Sequence, residues 1–471
     1  MPEPPVEPGA LSESSKSDSP ERDSSKSDSS ERDEWQRAFR WIEAELGGRI
    51  VRAERQARWR PAWDLDLERN GVLVPLYFRG ERGEADHGVY ALEHEMRVLQ
   101  VLERNDIPVP HVHAFCAEPR GIVMERSPGR ANLASASDDR QREAVLDHYM
   151  ELLARMHRID VAEFEAIGLE RPASAREIGL ADHERWERGY RRNKQRPEPA
   201  IEYLARWVKT HVPADRNALS FLCCDAGQFL FEGDRVTAVL DLELACLGDP
   251  LADLAGMRGR DLSEPLGDLS RAFAYYETLT GTRIDPQVLD FHTVRFGLVT
   301  PFAVAHLVAS PPRGLDLVQY QCWYVVWTRS CLEVIADGTG LPLAEPDVPS
   351  SETGFGDHAS AADFDAYAAD SDARHATLSA RREELGDELD ALDLEDLSSL
   401  LGASFTSREE ADRTLEQRIE EADLPDESSL VSYLYRRMRR EEVVVAPLLR
   451  ELSGVRIQTL RRSGARPAGT H

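Results

Sequence analysis

Residues 219–255 read LSFLCCDAGQFLFEGDRVTAVLDLELACLGDPLADLA. Two short apolar runs, each leading into an acidic residue, precede a turn-rich loop that opens a helix. The pattern predicts two short strands, each running into its acidic residue, so that Asp225 and Asp241 can end side by side. Two carboxylates so placed can divide their work, one accepting a proton and the other holding a hard cation against phosphate oxygens. Strand-end aspartates also cap turns, and the segment alone is compatible with that role.

The 471 residues carry a formal net charge of −28 and are 41% hydrophobic, enough length for two or three domains and enough apolar surface for a core. An acidic surface repels phosphate backbones and anionic membranes, so neither nucleic acid nor a membrane is an expected partner. The longest apolar run, near Gly297–Ala309, is interrupted by Pro301 and His306, and the start lacks a basic region followed by an apolar core. Neither a signal peptide nor a membrane span is expected. Six cysteines without a CxxC pair argue against a disulfide framework or a zinc site and favour buried free thiols in a reducing cytoplasm.

The chain begins with a tandem repeat, SSKSDSPERD at 14–23 and SSKSDSSERD at 24–33, too poor in apolar residues to offset the entropy of ordering. From Trp35 the pattern changes. Trp35, Phe39, Ile42 and Leu46 share a helical face that ends at Gly47-Gly48. Strands are predicted at 50–53, 63–67 and 72–78, with Asn70-Gly71 as the hairpin turn between the last two. A helix over 90–104 places Glu95 on the apolar face of Leu92, Met96, Leu99 and Leu102. There it either meets a cation, Arg79 being the nearest candidate in sequence, or reaches water at the edge of the stripe. Helical patterns dominate from about residue 141, and Ser407-x-x-Glu410 reads as a capping box in a charged C-terminal region.

VTAVLDLELACLGDPLADLA at 236–255 resembles the metal-binding segment of the aminoglycoside phosphotransferase and choline kinase-like superfamily, with Leu242 where the family has an aromatic. Three further stretches match in order: EHEMRVLQVLERNDIPVPHV at 93–112, LARMHRID at 153–160 and RPEPAIEYLARWVKTHVP at 196–213. The resemblance covers most of residues 40–340 and is strongest to bacterial phosphotransferase-family proteins similar to the kinase domain attached to some acyl-CoA dehydrogenases. It implies a protein kinase-like two-lobed α+β fold. A tail (1–34) would precede a β-rich, nucleotide-binding N-lobe (35–130) and a helical C-lobe (131–341), with a linker and acidic helical extension (342–471) after them. It also implies ATP-dependent, Mg²⁺-assisted transfer of the γ-phosphate to a hydroxyl of a small molecule. Arginines near Tyr190 suit an anionic or CoA-linked acceptor.

Carried over residue by residue, the resemblance makes Asp225 the catalytic base and Gln228, Asp241 and Glu243 the metal-binding residues. Arg79 with Glu95 would position the nucleotide phosphates, and Met124, Glu125, Arg126 and Ser127 would form the hinge against adenine. Asp249 and Asp253 would be loop and helix caps. The chain departs from the family in two places. CCDAGQ stands where His-Gly-Asp, four residues and Asn are usual. A register with a gap keeps the flanking strands matched and retains Asp225 as the acid; one without a gap puts Cys223 at that position. The family's glycine-rich loop is missing, with RQARWRPAW at 55–63 in its place. Arg55, Arg58 and Arg60 there read either as side-chain phosphate ligands or as a solvated basic strand. A catalytically impaired, nucleotide-binding or scaffolding pseudokinase is the alternative reading.

Overall fold

The computed structural model describes residues 24–58, 60–82, 88–310, 317–351, 353–354 and 363–460. The first amphipathic pattern folds as α1 (Ser24–Leu46), which buries Trp35, Ala38, Phe39 and Ile42 and stops where Gly47 takes φ +69°. This helix begins inside the second copy of the repeat, which corrects the unstructured tail expected through residue 34. Lys26, Glu31 and Arg32 are good helix formers, and the anchored face downstream supplies the nucleus from which the helix extends. The first copy lies outside the described residues.

Five antiparallel strands, β1 (Arg49–Arg55), β2 (Ala62–Arg69), β3 (Val72–Gly80), β4 (Val112–Ala117) and β5 (Arg120–Glu125), form one sheet ordered β1-β2-β3-β5-β4. Asn70 and Gly71, both at positive φ, make the predicted tight turn between β2 and β3. The helix α2 (Leu92–Arg104) packs on β4 and β5 and buries Leu92, Val98, Leu99 and Leu102. Arg79 sits opposite Ile122 in the β3–β5 register, so it leaves the centre of the sheet towards α2 and the rest of the chain.

The larger lobe is helical: α3 (Asp139–Met156), α4 (Val161–Glu165), α5 (Ala175–Leu180), α6 (His183–Asn193), α7 (Pro199–Thr210), α8 (Leu251–Arg260), α9 (Leu269–Thr280), α10 (Pro286–Gly297), α11 (Val299–Ala309) and α12 (Leu317–Thr339). Two small antiparallel pairs interrupt it, β6 (Ser220–Leu222) with β9 (Cys246–Gly248) and β7 (Phe229–Glu232) with β8 (Arg235–Val239). The decisive stretch therefore contributes all four of these strands and the helix that follows. Pro286–Ala309 is long and apolar enough to cross a bilayer, but 83% of its most apolar window is buried inside the protein, as in a core helix.

The C-terminal helices α13 (Phe364–Leu401), α14 (Arg408–Glu420) and α15 (Glu427–Val445) are not an appendage. Leu385, Leu397, Leu415, Leu430, Leu434 and Met438 belong to the same apolar core as Val325 and Leu332 of α12. A buried ion pair, Arg437 Nη2 to Asp412 Oδ2 at 2.8 Å, ties α15 to α14. The capping box is only half made. Ser407 Oγ accepts from the Glu410 amide, but the Glu410 carboxylate turns to the amide and hydroxyl of Thr406 instead of the Ser407 amide. All six cysteines are buried free thiols.

Candidate active site

The two lobes meet around Arg79. Its Nε donates to Glu95 Oε2 at 2.8 Å, so the carboxylate on the apolar face of α2 meets a cation rather than water. The other end of the guanidinium crosses to the second lobe, with Nη2 2.5 Å from Asp241 Oδ1 and 3.4 Å from Glu243 Oε2. Burial opposes the charge of Arg79, but Glu95, Asp241 and Glu243 outweigh it and hold its pKa well above the usual arginine value.

Two further arginines, one not anticipated from the sequence, converge on Glu243. Arg60 Nη1 lies 2.5 Å from Oε2, and Arg82 donates to both carboxylate oxygens, at 3.0 and 2.7 Å. Arg60 is thus a buried structural cation that also donates to the Gly80 carbonyl, not part of a solvated strand. Arg55 stacks 3.5 Å over the Phe364 ring, away from this cluster. Burial works against ionisation of Glu243, yet Arg82, Arg60 and Arg79 keep its pKa well below the ordinary range. Asp241 is likewise lowered, chiefly by Arg79 against the opposing effect of burial. Asp241 also takes the left-handed backbone conformation, φ +57°, which costs a non-glycine residue about 1–3 kcal/mol and needs surrounding contacts to hold it.

Asp225 lies on the loop after β6. Burial, followed by the opposing pull of Arg260 and the repulsion of Asp241, leaves its pKa raised to about 6. The two aspartates therefore feel one another, although β6 and β8, the strands that lead into them, pair with β9 and β7 and not with each other, and their environments drive their proton affinities apart: the Asp225 pKa is raised to about 6 while that of Asp241 is lowered. Divergence of this kind is what a base and a cation ligand in one site need. Gln228 Nε2 donates to Asp225 Oδ2 at 2.8 Å, so its amide oxygen is the atom it can offer a cation.

Arg260, also missed in the sequence, donates from Nε to Asp225 Oδ1 at 3.1 Å and from Nη2 to Oδ2. It belongs to a row on α8 that shapes the whole loop. Asp253 accepts the Cys223 and Cys224 amides at 2.9 and 2.7 Å and contacts His157 Nε2 at 3.0 Å. Gly256 lies so close to the loop that a Cβ there would stand 2.1 Å from the Cys224 carbonyl oxygen. Positions 253, 256 and 260 are three, four and seven apart, one face of a helix, and that periodicity was the available signal. Asp253 is therefore an anchor of the loop and not a helix cap. Asp249 does cap, accepting the Leu251 amide, and also pairs with Arg216.

Cys223 is buried with its thiol 4.0 Å from Met156 Sδ, and burial pushes its pKa well up, so it has none of the exposure or thiolate character of a nucleophile. Cys224, at φ +64°, brings its sulfur 3.3 Å from that of Cys246. With Asp182 these thiols gather three potential ligand atoms within 4.8 Å, but the Cys246 contact and burial raise the Cys224 pKa and keep the thiol protonated. Residues 124–127, read from the resemblance as a hinge, lie at the end of β5 and just beyond it. Met124 and Glu125 end β5, and the Glu125 amide donates to the His111 carbonyl. Arg126 pairs with Asp66 at 2.6 Å, and Ser127 leads to Pro128, whose carbonyl accepts from Thr237 Oγ1 at 2.6 Å on β8.

Residues 85–291, which contain α2, the hinge, both strand pairs and α8, match the model of the phosphotransferase enzyme family. The chain is also similar to part of two acyl-CoA dehydrogenase family members. It is 28% identical over 179 residues to mouse acyl-CoA dehydrogenase family member 10, covering 35% of this chain and 16% of that protein. It is 26% identical over 184 residues to human acyl-CoA dehydrogenase family member 11, covering 35% and 22%. The chain thus spans less than a quarter of the length of either relative. Among solved structures, it is similar to a thermostable mutant of the aminoglycoside phosphotransferase APH(4)-Ia in complex with ADP and hygromycin B. That similarity has a TM-score of 0.47 and 14% identity, over 64% of this chain and 99% of that one. A macrolide 2'-phosphotransferase from Brachybacterium faecium aligns with a TM-score of 0.42 and 20% identity, over 58% and 92%.

Proposed function

We propose that the protein is an ATP-dependent phosphotransferase that moves the γ-phosphate to a hydroxyl group of a small, anionic acceptor, CoA-linked acceptors included, in the cytoplasm. The observation that carries this reading is the pair of electrostatically separated carboxylates, Asp225 near neutrality and Asp241 anionic, inside a phosphotransferase-family domain. Asp225 accepts the acceptor hydroxyl proton as the oxygen attacks phosphorus. Gln228 and Arg260 hold its carboxylate in position for that transfer. Arg79, oriented by Glu95, lies against Asp241 and meets the nucleotide phosphates. The segment Met124–Ser127 receives adenine.

Asp241 and Gln228 form an oxygen-only donor pair that suits Mg²⁺, and Glu243 would join them only by releasing arginine contacts. The cation, when bound, would neutralise phosphate charge during transfer. Arg60 and Arg82, organised by Glu243, place cationic side chains near Asp241.

A thermal-shift titration with ADP and Mg²⁺, followed by ATP turnover in wild type and Asp225→Ala, tests this reading. A metal-dependent shift and loss of turnover by roughly 10²–10⁴-fold in the variant are expected. A shift with no turnover in either protein would instead identify a nucleotide-binding protein without catalysis.

A further inference from the structure

Beside the arginine cluster, the loop after β1, helix α12 and the C-terminal helices line an open cavity of about 220 Å³. Arg58 and Arg60 line it from the loop, Arg82 from the end of the sheet, Arg374 from α13 and Arg450 from the turn beyond α15. Among the described residues that line it there is no carboxylate, in a chain whose net charge is −28. The remaining wall includes Tyr320 and Trp323, one helical turn apart on α12, and Tyr367 on α13.

The cavity adjoins the transfer centre. Arg60 and Arg82 both reach Glu243, and the charge of Arg58 is felt at Asp241. The two arginines of the extension are fixed from behind, Arg374 by the Leu448 carbonyl at 3.3 Å and Arg450 by Asp370. Guanidinium groups gathered and pre-oriented in this way repel one another, and anionic oxygens that accept their hydrogen bonds relieve that repulsion. Aromatic rings alongside provide a surface for a flat or apolar part of the same molecule.

We propose that this cavity binds the anionic group of the acceptor, a phosphate or carboxylate carried by a hydroxyl compound, and that the C-terminal helices complete the acceptor site by supplying Arg374, Arg450 and Tyr367. The assignment rests on the phosphotransferase reading for the word acceptor, while anion binding stands on the cavity itself.

Calorimetry on the full chain, with and without saturating Mg-ADP, tests it using phenyl phosphate, benzoate and phenol as probes. At least one anion is expected to bind and phenol is not. Preference for phenyl phosphate assigns a phosphorylated acceptor, and preference for benzoate a carboxylate. Anion affinity should fall about tenfold or more in Arg58→Glu and in Arg374→Gln, with the Mg-ADP affinity of Arg374→Gln unchanged. Arg58 is exposed, so its variant decides the matter even if Arg374→Gln folds poorly. Anion binding indifferent to Arg58→Glu, phenol binding as tight as the anions, or no anion binding would overturn the assignment. Failure of Mg-ADP to bind would overturn the phosphotransferase reading alone, because the titration without nucleotide still scores the cavity.

Discussion

Arg260 grips Asp225 through two nitrogens, Nε to Oδ1 and Nη2 to Oδ2. The pKa of a carboxylate paired in this way is kept from rising further: burial and Asp241 push Asp225 up to about 6, and Arg260 is the main force opposing them. Asp225 accepts a proton only when ionised, so turnover should decline as pH falls through about 6. In Arg260→Gln the opposing force is gone, and the midpoint of that acidic limb should move upward, towards neutrality. The pH dependence of ATP turnover in the two proteins measures this. An unmoved limb would mean that Asp225 is not the titrating base.

Gly256→Ala should damage the loop without touching a polar group. The new Cβ would meet the Cys224 carbonyl oxygen, a backbone atom that cannot rotate away, so either α8 or the loop must shift. Overpacking of this kind costs typically about 1–3 kcal/mol. Denaturant unfolding and turnover should both report it, with turnover falling further than stability alone accounts for, because the displaced residue adjoins Asp225.

Glu95→Ala removes the buried partner of Arg79 while leaving Asp241, with Glu243 farther off, as its remaining partners. Breaking a buried ion pair from one side costs about 3–5 kcal/mol, and the surviving Asp241 contact should hold the loss to the lower end. Glu95→Gln, which can still accept a hydrogen bond, should lose less. Urea midpoints of the two variants, read beside Mg-ADP affinity, separate the structural loss from the loss of phosphate positioning.

A chain ending at Leu341 should not fold as a stable kinase-like core. Leu430, Leu434 and Met438 share one apolar cluster with Val325 and Leu332 of α12, so truncation would expose that face to water. Aggregation, or a markedly lower melting temperature than the full chain, is the expected result. A soluble truncated protein with the full-length melting temperature would show the extension to be separable.

Local chemistry made much of this legible in the sequence. The Asn70-Gly71 turn fixed its hairpin because only positive-φ residues close that loop, and the 3.6-residue period placed Glu95 on the buried face of α2. The resemblance of residues 236–255 to a metal-binding segment pointed to the phosphotransferase family, and Asp225 and Asp241 came from strand-end position. Arg60, Arg82 and Arg260 were not legible as partners of Glu243 and Asp225, since those contacts span 183, 161 and 35 residues, the first two depending on how the lobes meet and the third on how α8 packs against the loop after β6.

The sequence by itself determined which segments become strands and helices, and which carboxylates end the strands, because turn chemistry and periodicity act over a few residues. Only the tertiary structure decided what each carboxylate is. Asp225 and Asp241 are the same residue type at similar strand ends, and they differ because burial and the Asp241 charge outweigh Arg260 at Asp225, whereas Arg79, Arg60 and Arg58 together outweigh burial at Asp241. Proton affinity depends on desolvation and on charges a few ångströms away in space, and no local pattern encodes those.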